Sequence, residues 1–110
     1  MNHTKLHSYQ RMILMMKALQ ARMPKWMAGT AELRDQLERA MTSSILNLVE
    51  GNGRRTPKDR ACFFNRSTAS LCEVHACLEI IKTRMRSSEA EISGLQSELE
   101  IIYRMVRGLP

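Results

Sequence analysis

The chain has 110 residues, with 17 Lys and Arg against 11 Asp and Glu, which gives a net charge of +6 at pH 7. Its length fits one small domain with a thin core, and no apolar run approaches the ~20 residues that a membrane-spanning helix needs. Because no run is long enough to span a membrane, we expect no membrane partner. The three cysteines lack the even number and regular spacing of a disulfide framework, so we expect a protein of the reducing cytoplasm.

Four helices are predicted, in one domain that covers residues 1–110. Gly and Pro punctuate the chain, and the helices lie between them at about residues 3–23, 31–50, 57–86 and 89–107. Apolar residues recur in each helix at alternating intervals of three and four, which is typical of helices that pack at shallow angles in a bundle. Because the last connection is very short, an up-down-up-down antiparallel four-helix bundle of the all-α class follows.

The predicted core positions follow from the same spacing. In the first helix they are Leu6, Tyr9, Ile13, Met16 and Met23. In the second they are Leu33, Leu37, Met41, Ile45 and Leu48. In the third they are Phe64, Ser67, Leu71, Val74, Leu78, Ile81 and Met85. In the fourth they are Ile92, Leu95, Leu99, Ile102 and Val106.

Local signals predict the helix boundaries. We expect Pro24 to close the first helix. Gly51 and Gly53 are expected to stop the second in left-handed backbone conformations. Helix starts are predicted at three residues with capping side chains: Thr30, Thr56 and, at the head of a capping box, Ser88.

The two middle helices each carry a polar stripe beside their apolar positions. The second helix has Gln36, Ser43, Asn47 and Glu50, and the third has Arg66, Ser70, Glu73 and Cys77. Such rows favour a second packing surface, against another helix or another subunit, although a solvated face has the same pattern. Glu50 also lies where a carboxylate opposes the helix dipole, so we expect it to have a specific task or a cationic partner, for which Arg54, Arg55 and Arg66 are the candidates.

A basic cluster follows the second helix. It consists of Arg54, Arg55, Lys58, Arg60 and Arg66, against the single acid Asp59. The cluster lies beside the predicted N-terminus of the third helix, where backbone amides attract phosphate. Clustered cations bind nucleic-acid phosphates with affinity but without base specificity. These five residues are the candidate nucleic-acid-binding site; the alternative is that Arg54 or Arg55 pairs with Glu50 or with Glu73.

The segment SILNLVEGNGRR at residues 44–55 resembles the SIPANIAEGxGR signature of a bacterial protein family. That family consists of four-helix-bundle proteins encoded in intervening sequences of 23S ribosomal RNA genes. The resemblance extends over roughly residues 20–81, through segments similar to the family's QLRRA and RFLxIARGSLxE stretches. Leu46 stands where the family has a proline, so we expect a weaker kink there.

The resemblance implies a left-handed bundle that assembles as a homopentamer. It also implies a relation to the accessory protein of diversity-generating retroelements, a basic pentamer that binds a reverse transcriptase and nucleic acid. The residues that match the structural and interface motif of the family are Asn47, Glu50, Gly51, Gly53, Ser70 and Glu73.

No catalytic pattern stands out. His3 and His7 are spaced i,i+4, and Cys72 and His75 i,i+3, but neither pair has the further groups of a metal site or of an activated nucleophile. We therefore predict no enzyme, no cofactor and no metal. The predicted function is that of a non-enzymatic homo-oligomer that binds RNA or DNA, linked to ribosomal RNA or accessory to a reverse transcriptase. The alternative is a scaffold that docks an acidic partner protein.

Overall fold

The computed structural model describes residues 1–26 and 31–110 and is all-helical over these ranges. Its four long helices are α1 (His7–Trp26), α2 (Ala31–Asn52), α3 (Pro57–Arg84) and α4 (Glu89–Arg107). Single 3₁₀ turns precede α1 at Asn2–Lys5 and α4 at Arg86–Ser88. The prediction of an all-α chain with four helices is confirmed over the described part of the chain. Within that part, none of the helices combines the length and the hydropathy that crossing a membrane requires.

Local signals set the start of α3 but not that of α4. Thr56 is the N-cap of α3, and its hydroxyl accepts a hydrogen bond from the Asp59 backbone N–H at 3.1 Å, as predicted. The predicted capping box at Ser88 is wrong, although α4 spans the predicted residues. Ser88 closes a 3₁₀ turn, and its backbone (φ −104°, ψ 11°) lacks the extended conformation of a capping residue, so its side chain makes no capping hydrogen bond. α3 ends at Arg84, slightly earlier than predicted.

α1 differs most from its prediction. It begins at His7 rather than at residue 3, and it continues through Pro24 to Trp26, so the prediction that Pro24 closes the helix is wrong. Proline removes one intrahelical hydrogen bond. Continuation of the helix buries the large Trp26 side chain, which is only 4 % exposed. The predicted start of the second helix at Thr30 lies outside the described residues.

The core lies between the four helices. The predicted core positions of α2, α3 and α4 are buried or packed against the buried cluster. In α1 only Met23 of the predicted row is buried, and the remaining members lie partly buried beside the core. Two adjacent rows of α1 are apolar, and its packing against α2 and α4 selects the row that faces inward. That row is Met12, Met15, Leu19, Met23 and Trp26.

A buried glutamine joins α3 to α4. Gln96 donates one hydrogen bond to the Glu79 carboxylate at 2.9 Å and another to the His75 backbone carbonyl at 3.3 Å. Lys82 lies 3.3 Å from the same carboxylate. The Gln96 hydrogen bond above all, and then Lys82, hold the pKa of Glu79 below its ordinary value. Since a buried amide is stable only with its partners in place, these contacts fix the register of α4 on α3.

Candidate nucleic-acid interface

Gly51 sets the close approach of α2 to the start of α3. It lies inside α2, and a β-carbon added to it would come within 2.7 Å of Phe64 Cε1 and 3.1 Å of Phe63 Cβ. The prediction of left-handed glycines at the end of α2 is wrong, because neither Gly51 nor Gly53 adopts that conformation. Gly53 instead donates its N–H to carbonyls of the preceding turn. Gly51 is therefore a packing residue, and it brings the two phenylalanines against α2.

Small hydroxyl side chains continue this close packing along α2 and α3. Ser67 donates a hydrogen bond to the Ser44 backbone carbonyl at 2.7 Å, and both residues are fully buried. The Ser43 and Ser70 hydroxyls lie 2.9 Å apart. Asn47 donates its side-chain N–H to the Ser43 carbonyl at 2.9 Å. The polar stripes of the two helices thus meet inside one chain at Ser43 and Ser70, whereas their other members Gln36, Glu50, Arg66 and Glu73 are exposed. Another helix of the same chain is one of the two packing partners that the sequence left open.

The stripe predicted on α3 does not form one continuous polar face. Cys77, its last member, is 3 % exposed and belongs to the core. Burial and, to a lesser extent, the Glu73 carboxylate raise the pKa of the Cys77 thiol. Glu73 itself is exposed. The prediction for Cys77 fails because the close α2–α3 contact widens the buried face of α3 beyond its apolar row.

Two arginines share the ring of Phe63. The Arg54 guanidinium carbon lies 4.6 Å from the ring centre, and that of Arg66 lies 5.0 Å from it. Arg54 also donates a hydrogen bond to the Glu50 carboxylate at 3.0 Å, so the predicted cationic partner of Glu50 is confirmed. Both side chains of this ion pair are about half exposed, so the pair contributes little stability. Its effect is to orient Arg54 over the ring.

Arg60 is a structural residue rather than a free cation of the loop. Its guanidinium donates hydrogen bonds to three backbone carbonyls: Pro110 at 3.0 Å, Asn52 at 3.0 Å and Arg54 at 3.3 Å. It also lies 5.3 Å from the centre of the buried Phe64 ring. The planar fork of a guanidinium suits several acceptors at once. Arg60 therefore ties the end of α2, the loop and the end of α4 to α3.

Arg55 and Lys58 are the open cations of the cluster. Both are exposed, and within residues 1–26 and 31–110 neither forms an ion pair. The amides at the start of α3 are weaker phosphate donors than predicted. The Thr56 hydroxyl already accepts a hydrogen bond from the Asp59 amide, and the Asp59 carboxylate in the first turn repels a phosphate.

α4 brings two further arginines to this surface, which were not among the residues predicted from the sequence. Arg107 lines a small cleft with Ala61 and Asn65 of α3, and it donates a hydrogen bond to the Tyr103 hydroxyl at 3.1 Å. Arg104 lies exposed about one helical turn before it. Their position could have been inferred from the short connection between the last two helices, because an antiparallel pair has the end of the fourth helix beside the start of the third.

We call this surface the basic end of the bundle. The acids Glu50 and Asp59 lie within it, and Glu100 lies beside Arg104 on the groove between α3 and α4. Its cations come from the α2–α3 loop, from the first third of α3 and from the last turn of α4, so three separate stretches of sequence contribute to one surface. They are Arg54, Arg55, Lys58, Arg60, Arg66, Arg104 and Arg107.

A sequence model of the family described as 23S rRNA-intervening sequence protein matches residues 4–108. The chain belongs to this family. The resemblance first noted in residues 44–55 is thereby confirmed over nearly the whole chain, including every cation of the basic end. No curated protein and no solved structure matches the chain.

A second concave surface of this 23S rRNA-intervening sequence protein lies between α3 and α4. It has a volume of about 370 Å³ and contains the exposed Cys72 and the half-buried His75, above Leu71 and Leu99. Within residues 1–26 and 31–110 no three His, Cys, Asp or Glu side chains converge as metal ligands do. In the pair His3 and His7, the ring of His3 packs edge-on against that of Tyr9, with ring centres 5.0 Å apart.

Proposed function

We propose that this protein is a non-enzymatic, homo-oligomeric nucleic-acid-binding protein that holds RNA or DNA by the phosphate backbone. The observation that carries the proposal is the basic end, where cations from three stretches of sequence lie on one surface. Arg55 and Lys58 are its most open members, and Arg104 widens it. No cofactor or metal takes part in this function.

The chemistry of the basic end favours phosphate over bases. Cations that meet phosphates release condensed counterions, and the affinity then falls steeply with salt. Arg55, Lys58, Arg66 and Arg104 are exposed and form no ion pair within residues 1–26 and 31–110. With these four cations per protomer, the slope of log K against log salt is expected to be about −3 to −4. Phosphate contacts position a nucleic acid without reading its sequence. We therefore expect binding with little sequence preference.

We further propose that the four helices run up-down-up-down in a left-handed bundle. The pairing of residues supports the antiparallel order, and the left-handed twist follows from the resemblance to the family. Arg11 lies 3.3 Å from Glu98, and Arg22 lies 3.4 Å from Glu91, so residue numbers rise along α1 as they fall along α4. The contacts of Ser43 with Ser70 and of Gly51 with Phe64 show the same antiparallel order for α2 and α3.

A homopentamer is the proposed assembly. Two large apolar side chains support self-association: Leu14 is 63 % exposed and Leu46 is 62 % exposed. Leu46 flanks a shallow groove that contains Ser43 and Asn47, so the motif residues of α2 lie beside an apolar contact point. A ring repeats the basic end on every protomer, and this multiplies affinity for a polyanion.

Two cellular contexts fit the proposed function. A family named for 23S ribosomal RNA intervening sequences supports a role linked to ribosomal RNA. The implied relation to retroelement accessory proteins supports a role beside a reverse transcriptase. The genomic neighbourhood separates them: an open reading frame inside a ribosomal RNA gene supports the first, and an adjacent reverse transcriptase gene supports the second.

Charge reversal at the basic end tests the proposal. The variant Arg55→Glu with Lys58→Glu changes two exposed side chains that hold no partner within residues 1–26 and 31–110. It is expected to lower affinity for labelled RNA and DNA at least about tenfold in fluorescence anisotropy. Arg54 is left unchanged because it forms structural contacts with Glu50 and with the Phe63 ring.

The matched control reverses the same number of charges away from the basic end. Arg84→Glu with Arg86→Glu is expected to keep the affinity of the unmodified protein to within about threefold. Light scattering on both variants shows whether the oligomer is intact. Equal binding by the basic-end variant would contradict the proposal. Loss of an acidic polypeptide ligand, with nucleic-acid binding retained, would favour the scaffold function instead.

A further inference from the structure

The phenylalanine rings of the basic end are covered. Phe63 lies under the guanidinium groups of both Arg54 and Arg66, at 4.6 and 5.0 Å. Phe64 is only 5 % exposed, and Arg60 lies 5.3 Å from its ring centre. Proteins that bind single strands stack successive bases on open aromatic faces. Here the rings position cations instead of receiving bases.

The remaining aromatic rings of the chain are also engaged. Tyr103 has the Arg107 guanidinium 5.7 Å from its ring centre. Tyr9 packs against His3, and Trp26 is buried. With two Phe, two Tyr and one Trp in the sequence, this accounts for all five rings. The contacts open to a nucleic acid at the basic end are therefore made by cations.

Four of these cations, Lys58, Arg66, Arg104 and Arg107, lie on helices at fixed separations, whereas Arg54 and Arg55 lie in the α2–α3 loop. Lys58 and Arg66 are eight residues apart on α3, which corresponds to a rise of about 12 Å. Arg104 and Arg107 lie one turn apart on α4. A fixed array of cations matches a polyanion whose phosphates are themselves fixed. A flexible single strand has to lose conformational entropy before it makes the same contacts.

The width of the bundle favours the denser polyanion. The molecule measures 23 by 21 Å across its long axis. A duplex carries about a dozen phosphates over this width, and a single strand carries about half as many. The same cations thus meet more phosphate charge on a duplex.

We infer that the ligand of the basic end is double-stranded nucleic acid, held by the phosphates of both strands with no base stacking. The inference rests on the proposed function and deepens it, because it names the class of nucleic acid. Phe63 acts in it as a positioning residue that holds Arg54 and Arg66 over one ring.

The test compares a duplex of about 20 base pairs with each of its separated strands, chosen to avoid self-pairing. RNA and DNA sets are measured in parallel by fluorescence anisotropy at several salt concentrations. We expect the duplex to bind at least about tenfold more tightly than either strand, with the steeper salt slope. Tighter binding of either the RNA duplex or the DNA duplex supports the inference. Comparison of the two duplexes shows which form of double helix the protein prefers.

The contrary outcomes are distinct. Single strands that bind as tightly as the duplex would overturn the inference while leaving the proposed function in place. Failure to bind any of the probes would overturn the proposed function, and the inference with it.

A variant of Phe63 separates positioning from stacking. Phe63→Leu keeps an apolar side chain beside Gly51 but removes the aromatic ring. We expect duplex affinity to fall roughly two- to fivefold, because the two guanidinium groups lose their cation–π contacts. Single-strand affinity should fall no more than duplex affinity, because the same guanidinium groups contact the phosphates of either ligand, and circular dichroism monitors the fold. A loss confined to single-strand binding would show that bases stack on the ring and would overturn the inference.

Discussion

Gly51 of α2 lies directly against the buried ring of Phe64 in α3. A β-carbon at position 51 would come within 2.7 Å of Phe64 Cε1 and 2.8 Å of Cδ1, which is closer than two carbon atoms can pack. The ring is held in turn by the contact with Arg60. The absence of a side chain at one residue therefore determines how the α2–α3 loop, and with it the basic end, is placed.

Gly51→Ala is expected to lower the free energy of unfolding by about 1–3 kcal/mol, because the added methyl group overpacks this contact. Urea unfolding followed by circular dichroism measures the change. Gly94→Ala is the matched control: nothing lies within 4 Å of a β-carbon there, so alanine should stabilise α4 by about 0.5–1 kcal/mol. Equal stability of Gly51→Ala and the unmodified protein would contradict the packing role.

Arg60→Ala is expected to lower the free energy of unfolding by about 1–3 kcal/mol, since it removes three charge-assisted hydrogen bonds to backbone carbonyls. Arg60→Lys should not restore the loss, because an ammonium group lacks the planar fork. Arg55→Ala, at an exposed neighbour, should change stability by less than about 0.5 kcal/mol. If Arg60→Ala matched Arg55→Ala in urea unfolding, Arg60 would be a surface cation after all.

Ser67→Ala is expected to cost about 1 kcal/mol, because the Ser44 carbonyl loses its buried hydroxyl donor at 2.7 Å. Ser67→Leu should cost more, since a large side chain cannot fit where α2 and α3 approach closely. Ser97→Ala serves as the control, because that exposed hydroxyl bonds only within its own helix. A Ser67→Leu protein as stable as Ser67→Ala would show that α2 and α3 are not closely packed.

Glu79 makes stability depend on pH. Its pKa is lowered in the folded protein, first by the Gln96 hydrogen bond and then by Lys82. The contribution of Glu79 to the stability of the fold is therefore fully present above the ordinary glutamate pKa of 4.5. It is lost as the pH falls through the lower pKa of the folded state. The melting temperature should decline less between neutral and acidic pH in Glu79→Gln, and also in Gln96→Leu. Parallel declines in all three proteins would contradict this role.

Cysteine labelling checks the placement of Cys77. Cys62 and Cys72 are exposed, whereas Cys77 is buried and burial raises the pKa of its thiol. With a maleimide at neutral pH, mass spectrometry should find two modified cysteines in the folded protein and a third only after unfolding. Rapid labelling of Cys77 in the folded state would place it at the surface.

Features that depend on neighbours in the sequence were predictable. The Thr56 cap and the Glu50–Arg54 pair connect residues three and four positions apart at the ends of helices, where the local backbone brings such neighbours together. The 3.6-residue period located the buried faces of α2, α3 and α4, and the short segment before Glu89 with the glycine at Gly108 marked the bounds of α4. The family signature likewise lies in one short segment.

Other features were decided only when the helices packed. The buried row of α1, the continuation of that helix through Pro24 and the role of Gly51 each depend on the surface that another helix presents. Arg60 reaches a carbonyl fifty residues away, and Arg107 joins α3 from the end of α4. Sequence periodicity gives the faces of a helix but not its neighbours. The sequence by itself therefore determined four amphipathic helices and a basic loop. Tertiary packing placed cations from α3 and α4 beside that loop, so that the basic end is built from three parts of the chain.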